Sequence, residues 1–111
     1  MDELYVNKIY NIMYNIYKNN TENINKYNDI LLLYNTIILY TYNIKVILLA
    51  AYCEYKLGIR YHSVSKLIIS VKLIDTIIDI LNNSNKDTNY FILLKIKIIL
   101  KINQLQPVCA A

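Results

Sequence analysis

The chain has 111 residues, of which 56% are hydrophobic and 18% charged, with one Gly, one Pro and a formal net charge of +4. Such an apolar chain is not disordered, and near absence of Gly and Pro excludes the many tight turns of an all-β sandwich or barrel. What remains is one all-α domain with a modest core.

Ile, Asn, Tyr and Lys number 21, 15, 12 and 11, more than half of the chain. These four types share A/T-rich codons, so their excess is read as genome bias, and the tyrosines as the available large half-buried side chain. Eleven of the twelve cations are Lys, scattered with no polybasic run; the densest group is Lys95, Lys97 and Lys101. Cys53 and Cys109 form no CxxC pair, which predicts reduced thiols, and the acidic start Met1-Asp2-Glu3-Leu4 lacks the order of a signal peptide. These features give an intracellular, cytoplasmic expectation.

In chain order, Asn7, Lys8, Asn11, Asn15 and Lys18 step by three and four opposite Tyr5, Ile9, Ile12, Met13 and Ile16, which predicts an amphipathic first helix over 2–18. Asn20-Thr21 is a cap for a second helix running to about Tyr42, with Glu22 in its first turn and a stripe of Ile24, Tyr27, Leu31, Tyr34 and Ile38. Residues 30–53 are the most apolar window, but Asn35, Thr36, Asn43 and Lys45 interrupt it. A charge near mid-membrane costs roughly 2.5–3.5 kcal/mol, so two helices with a break are expected rather than a span.

The third helix, Ile44 to Leu57, has almost no polar face between Val46 and Cys53 and carries Ala50-Ala51 at its centre, which predicts burial and a close helix crossing. Gly58 is expected to end it in a left-handed C-cap. A fourth helix from about Ser63 sets Val64, Leu67, Ile68, Val71, Ile74, Ile78 and Leu81 against Ser65, Lys66, Ser70, Lys72, Asp75, Asp79 and Asn82. Residues 82–89 form a polar loop ending in the caps Asp87 or Thr88. Tyr90 to Asn103 is then read as a helix although Leu94 to Ile98 alternates like a strand, because a lone strand has no partner here. The domain spans 1–104, and 105–111, holding Pro107, is a loose tail.

Residues 26–40 and 60–74 align at a spacing of 34: Lys26-Tyr27 with Arg60-Tyr61, Ile30 with Val64, Leu33 with Leu67, Tyr34 with Ile68, Ile37 with Val71 and Tyr40 with Ile74. With Ala51-Tyr52-Cys53-Glu54-Tyr55-Lys56-Leu57-Gly58 and Tyr61, Val64, Ile68, Val71 and Ile74-Asp75, the stretch 44–76 resembles a tetratricopeptide repeat. The turn after Gly58 is one residue longer than that pattern, and Val64 stands where it has a small Ala. The resemblance implies two stacked antiparallel hairpins, a C-terminal capping helix, and a groove that receives a peptide or partner helix. Lys8, Asn11, Asn15, Lys45, Tyr52 and Lys56 are its candidate partner-binding residues.

Chemistry is sparse. There is one His, no Gly-rich phosphate loop, no HExxH and no GxSxG, so no catalytic residue, cofactor or metal is expected. His62 beside Ser63 reads as a helix-start neighbour, and Asp75 with Asp79 as a solvated face. The expected function is therefore a non-catalytic adaptor or subunit that binds another protein or a second copy of itself. One alternative is attachment to RNA or a ribonucleoprotein through Arg60, Lys66, Lys95, Lys97 and Lys101. A second is a Bcl-2-like helical bundle of the viral type, suggested by Leu57-Gly58-Ile59-Arg60. A membrane role is not expected.

Overall fold

A computed structural model describes residues 3–19, 23–38 and 42–106. They form five α-helices: α1 (Glu3–Lys18), α2 (Asn25–Asn35), α3 (Ile44–Arg60), α4 (Val64–Asn83) and α5 (Asn89–Leu105). The fold is all-α, as the composition requires. Helices adjacent in sequence pack on each other, most extensively α3 on α4. The 53 × 38 × 22 Å envelope is about two helix diameters thick. α1/α2 and α3/α4 thus form successive hairpins, and α5 packs on α4.

α3 explains this arrangement. Val46, Leu49, Ala50 and Cys53, spaced by three and four, join Val6 and Met13 of α1 and Ile30 and Tyr34 of α2, together with Ile37, in one apolar cluster. Ile47 and Ala51 lie on its other side, in a second cluster with Leu67, Ile74, Ile77 and Leu81 of α4 and Ile98 of α5. A helix packed on both sides has little room for a polar face between Val46 and Cys53. The adjacent alanines each serve one cluster, which makes Ala50-Ala51 the crossing point that the sequence predicts.

The helix ends contain the main corrections. α2 stops at Asn35 instead of Tyr42, because the Thr36 hydroxyl and amide both donate to the Leu33 carbonyl (2.6 and 3.1 Å) and the Ile37 amide donates to Tyr34 O (3.0 Å), tightening the chain into i→i+3 turns. Asn20, Thr21 and Glu22 lie outside the described residues; Asn23 Oδ1 accepts from the Asn25 amide (3.0 Å) at the start of α2. The predicted break before α3 is real, with Asn43 Oδ1 accepting from the amides of Lys45 (3.0 Å) and Val46 (3.4 Å).

Gly58 does not end α3; it lies inside it, buried, and the left-handed residue is His62 at φ 50°. Ser63 N–H donates to Gly58 O (2.9 Å) and His62 N–H to Ile59 O (3.4 Å), the paired bonds of a Schellman motif. A second such cap ends α4, with Asn85 at φ 55°, Lys86 N–H on Leu81 O (2.9 Å) and Asn85 N–H on Asn82 O (3.1 Å). Ser63 then caps α4, its Oγ accepting from the Lys66 amide (3.3 Å). His62→Gly is expected to raise stability by about 0.5–1 kcal/mol, because glycine takes positive φ without the Cβ penalty and partly offsets this by its freer unfolded chain. A chemical-denaturation midpoint that does not rise would count against strain at this turn.

α4 is also rotated from its expected stripe. Leu67, Ser70, Ile74, Ile77 and Leu81 are the buried residues, while Ile68 is 40% exposed. Ser70 is tolerated in the core because its hydroxyl donates to the Ala51 carbonyl across the α3–α4 crossing (2.8 Å). α5 is a helix throughout Leu94 to Ile98, led by Asp87 Oδ1 accepting from the Asn89 amide (2.9 Å).

This burial pattern also bears on the repeat. The 34-residue alignment pairs buried Tyr34 with exposed Ile68. Residues forty apart match better: Val6 with Val46, Met13 with Cys53, Ile30 with Ser70, Tyr34 with Ile74 and Ile37 with Ile77 are all buried pairs. Burial therefore does not follow the 34-residue alignment and gives no support to a tetratricopeptide-like repeat.

Candidate functional site

Two concave surfaces meet at α3. The first is a groove of about 420 Å³ walled by Tyr10, Tyr14 and Tyr17 of α1 and by Tyr90, Leu94, Lys97 and Ile98 of α5. Lys45, Leu48, Leu49, Ala51, Tyr52 and Tyr55 of α3 line it between these walls, backed by Ser70 and Ile74 of α4. α1 and α5 thus face each other across the helix that carries both core clusters.

The α1 wall is a row of phenols at spacings of four and three. Tyr10 and Tyr14 stack at 5.9 Å between centroids, Tyr14 and Tyr17 at 6.0 Å, and Tyr17 meets Tyr52 edge-on at 5.5 Å. Fixed rings of this kind form a wall that loses little side-chain entropy when it is covered.

The second surface is a cleft of about 770 Å³ on the far side of Tyr17, Tyr52 and Tyr55, which line both. It gathers Lys18 and Asn19 from the end of α1, Ile24, Lys26 and Tyr27 around the start of α2, and Lys56, Ile59 and Arg60 from the end of α3. Lys26 Nζ donates to the carbonyls of Asn19 (3.1 Å) and Tyr17 (3.4 Å), where α1 ends and its dipole is negative. Burial, followed by nearby Tyr52, pushes the Tyr17 and Tyr27 phenols above their usual range, so both stay neutral donors at pH 7.

Of the residues expected to hold a partner, Lys45 and Tyr52 line the groove, while Tyr52 and Lys56 line the cleft. Lys8, Asn11 and Asn15 are exposed on α1 but line neither surface. The α1 residues that do so are Tyr10, Tyr14, Tyr17 and Lys18. The spacing of the tyrosines was available in the sequence as a third helical face, obscured by the assignment of tyrosine to half-buried filler.

The five cations of the nucleic-acid alternative are spread over three helices, Arg60 on α3, Lys66 on α4 and Lys95, Lys97 and Lys101 on α5. Lys66 lies 3.9 Å from Glu54 Oε1 and Lys95 Nζ is 2.7 Å from Asp75 Oδ1. Lys97 lines the groove, Arg60 lines the cleft, and Lys101 is half-buried on α5.

Burial pushes the Cys53 thiol up to about 12, with the Glu54 charge adding to it and Lys26 opposing it. It therefore stays protonated and packs as a small hydrophobe; Cys109 lies outside the described residues. His62 and Ser63 are occupied as turn and cap, as given above. No group of three or more His, Cys, Asp or Glu among the described residues is placed to hold a metal ion. No helix among them is long and apolar enough to cross a membrane. The site is therefore defined by shape, tyrosine and lysine. No protein-family model, curated protein or solved structure matches the chain.

Proposed function

We propose that the chain is a non-catalytic interaction module whose α1–α3–α5 groove takes the apolar face of a partner helix. The observation that carries this reading is the groove itself, a tyrosine and leucine concavity open between two helices that stand apart. Recognition of an amphipathic helix requires such a trough, into which side chains at i, i+3, i+4 and i+7 insert. The tetratricopeptide resemblance of 44–76 would place a partner on a concave face lined by the first helices of successive hairpins, and α1, α3 and α5 line this groove.

Exposed apolar side chains on α5 support stable residence in a complex. Tyr90, Leu93, Ile96 and Leu100 step by three and four along it, and Tyr90 and Leu93 are 66% and 67% exposed. A partner laid against the α5 wall would cover part of this stripe. The function needs no ionised nucleophile, general base or cofactor.

The reading is tested by selecting helix-forming 20-residue peptides from a randomised display library on the immobilised protein. Selected peptides are expected to share an apolar i, i+3/i+4, i+7 pattern. Tyr14→Ser combined with Tyr90→Ser is expected to weaken them at least about tenfold while lowering the thermal midpoint only modestly, since Tyr14 loses its stacking on Tyr10 and Tyr17 but neither side chain belongs to the buried core. Undiminished binding by this variant would place the partner elsewhere. Binding that instead depends on salt and is lost when Lys95, Lys97 and Lys101 become Gln would favour the nucleic-acid alternative.

A further inference from the structure

We infer that the basic cleft beside the groove receives an acidic terminal turn of the same partner helix and so fixes the direction in which that helix lies. This rests on the groove reading and extends it. The two surfaces adjoin, because Tyr17, Tyr52 and Tyr55 line both. A helix seated along α3 in the groove and extended past Tyr52 runs over the cleft.

The chemistry changes sharply at that point. Lys18, Lys26, Lys56 and Arg60 line the cleft, four of the chain's twelve cations, and no carboxylate appears among its described lining residues. Both ion pairs among the described residues, Lys66–Glu54 and Lys95–Asp75, lie outside it. The ends of α1 and α3 account for part of this charge, since cations stabilise the negative ends of helices. They account for Lys26, which is bonded to α1 carbonyls, better than for Lys56, which lies one turn inside α3.

Carboxylates fit the cleft better than nucleotides do. Bases need open aromatic faces on which to stack, and here the lysines already cover them: Lys26 Nζ lies 5.3 Å from the Tyr27 ring centroid and Lys56 Nζ 5.7 Å from that of Tyr52. Tyr17 and Tyr27 also make edge-to-face contacts with Tyr52. Ammonium groups held over rings keep their remaining N–H donors for an anion, and the neutral phenols add further donors. Clusters of Glu or Asp are a common composition for the first turn of a helix, where the dipole favours them, and two or more full negative charges outweigh the roughly half-unit positive charge of that helix end. The partner is therefore an amphipathic helix whose acidic first turn sits in the cleft and whose apolar stripe continues toward α5.

Parallel selections of helix-forming 20-residue peptides test this, one on the full chain and one on a Lys18→Gln/Lys56→Gln/Arg60→Gln variant whose thermal midpoint has been checked. The full chain is expected to enrich Asp and Glu at the peptide N-terminus next to an apolar i, i+3/i+4, i+7 stripe. The variant is expected to keep the stripe and lose the acidic turn. Changing that turn to Gln in a selected peptide is expected to weaken binding to the full chain about tenfold at low salt and to leave binding to the variant unchanged.

An apolar stripe selected without acidic residues overturns the inference and leaves the groove reading standing. Acidic residues selected without any stripe overturn the groove reading and, with it, the continuous partner. Acidic residues at the peptide C-terminus overturn the direction assigned here. Displacement of a selected peptide by short oligouridylate as effectively as by its acidic peptide competitor would make the cleft a nucleic-acid site and overturn the inference, as would a library that yields neither signature.

Discussion

Replacing Gly58 by alanine is expected to lower the stability of the fold by about 1–3 kcal/mol, the opposite of what this substitution does in an ordinary helix interior. There, alanine gains roughly 0.5–1 kcal/mol because glycine loses more backbone freedom on folding. At Gly58 an added Cβ would lie 2.7 Å from both Cγ and Cδ2 of Leu67 and 3.3 Å from its backbone nitrogen. Leu67 is fully buried in the second core cluster, and Cγ is the branch point of its side chain, so it cannot swing aside without disturbing its neighbours.

The clash is local, which makes a double-mutant cycle decisive. Leu67→Ala alone should cost about 2–5 kcal/mol through the cavity it leaves. Combined with Gly58→Ala it should cost less than the sum of the single changes by about 1 kcal/mol or more, because the shortened side chain removes the conflict. Chemical denaturation of the four proteins measures this. A higher midpoint for Gly58→Ala alone would show that α3 and α4 separate readily, and the close crossing would then be wrong.

Gly58 also shows where the sequence stops being informative. One glycine at the end of an apolar helix looks like a C-cap, and close approach of another helix gives the same letter. The distinction depends on a residue nine positions later, which no local pattern contains. The cap itself falls on His62, a residue type that tolerates positive φ but does not announce it.

The face of α4 was obscured for a related reason. Ile68, Ile69, Ile74, Ile77 and Ile78 offer apolar side chains in several directions, so the 3.6-residue period is nearly degenerate, and buried Ser70 counts as polar until the Ala51 carbonyl is seen to accept its proton. By contrast, α1 and the double burial of α3 were legible. Asn and Lys mark the solvent side of α1 at regular steps, and α3 lacks such marks between Val46 and Cys53. The groove was legible only in outline, since its position follows from hairpin stacking while its tyrosine wall depends on the rotation of α1 about its axis.

Glu54→Gln is expected to stabilise the protein by about 1–2 kcal/mol at pH 7, because it removes a charge held in an apolar setting. Glu54 is only 7% exposed between α3 and α4; its Oε2 has no hydrogen-bond partner and its Oε1 lies 3.9 Å from Lys66 Nζ, too far for a hydrogen bond. Burial pushes its carboxyl above the ordinary value of 4.5, and the Lys66 charge offsets this in part. The folded state therefore holds the proton more tightly than the unfolded chain does. The contribution of this group to stability is fully present below 4.5 and is lost as pH rises through the raised folded value. The glutamine variant carries no such charge, so its advantage should be largest at neutral pH, narrow as the solution is acidified and vanish once Glu54 is protonated in both states. Lys66, about one-third exposed, keeps its solvation when the partner charge is removed, so the loss of that long ion pair should subtract little. Urea denaturation of both proteins between pH 4 and pH 8 gives the comparison. If the variant is instead less stable at pH 7, with a gap that closes on acidification, the attraction to Lys66 outweighs the desolvation of Glu54, and the pair clamps α3 to α4 where the Gly58 contact already holds them close.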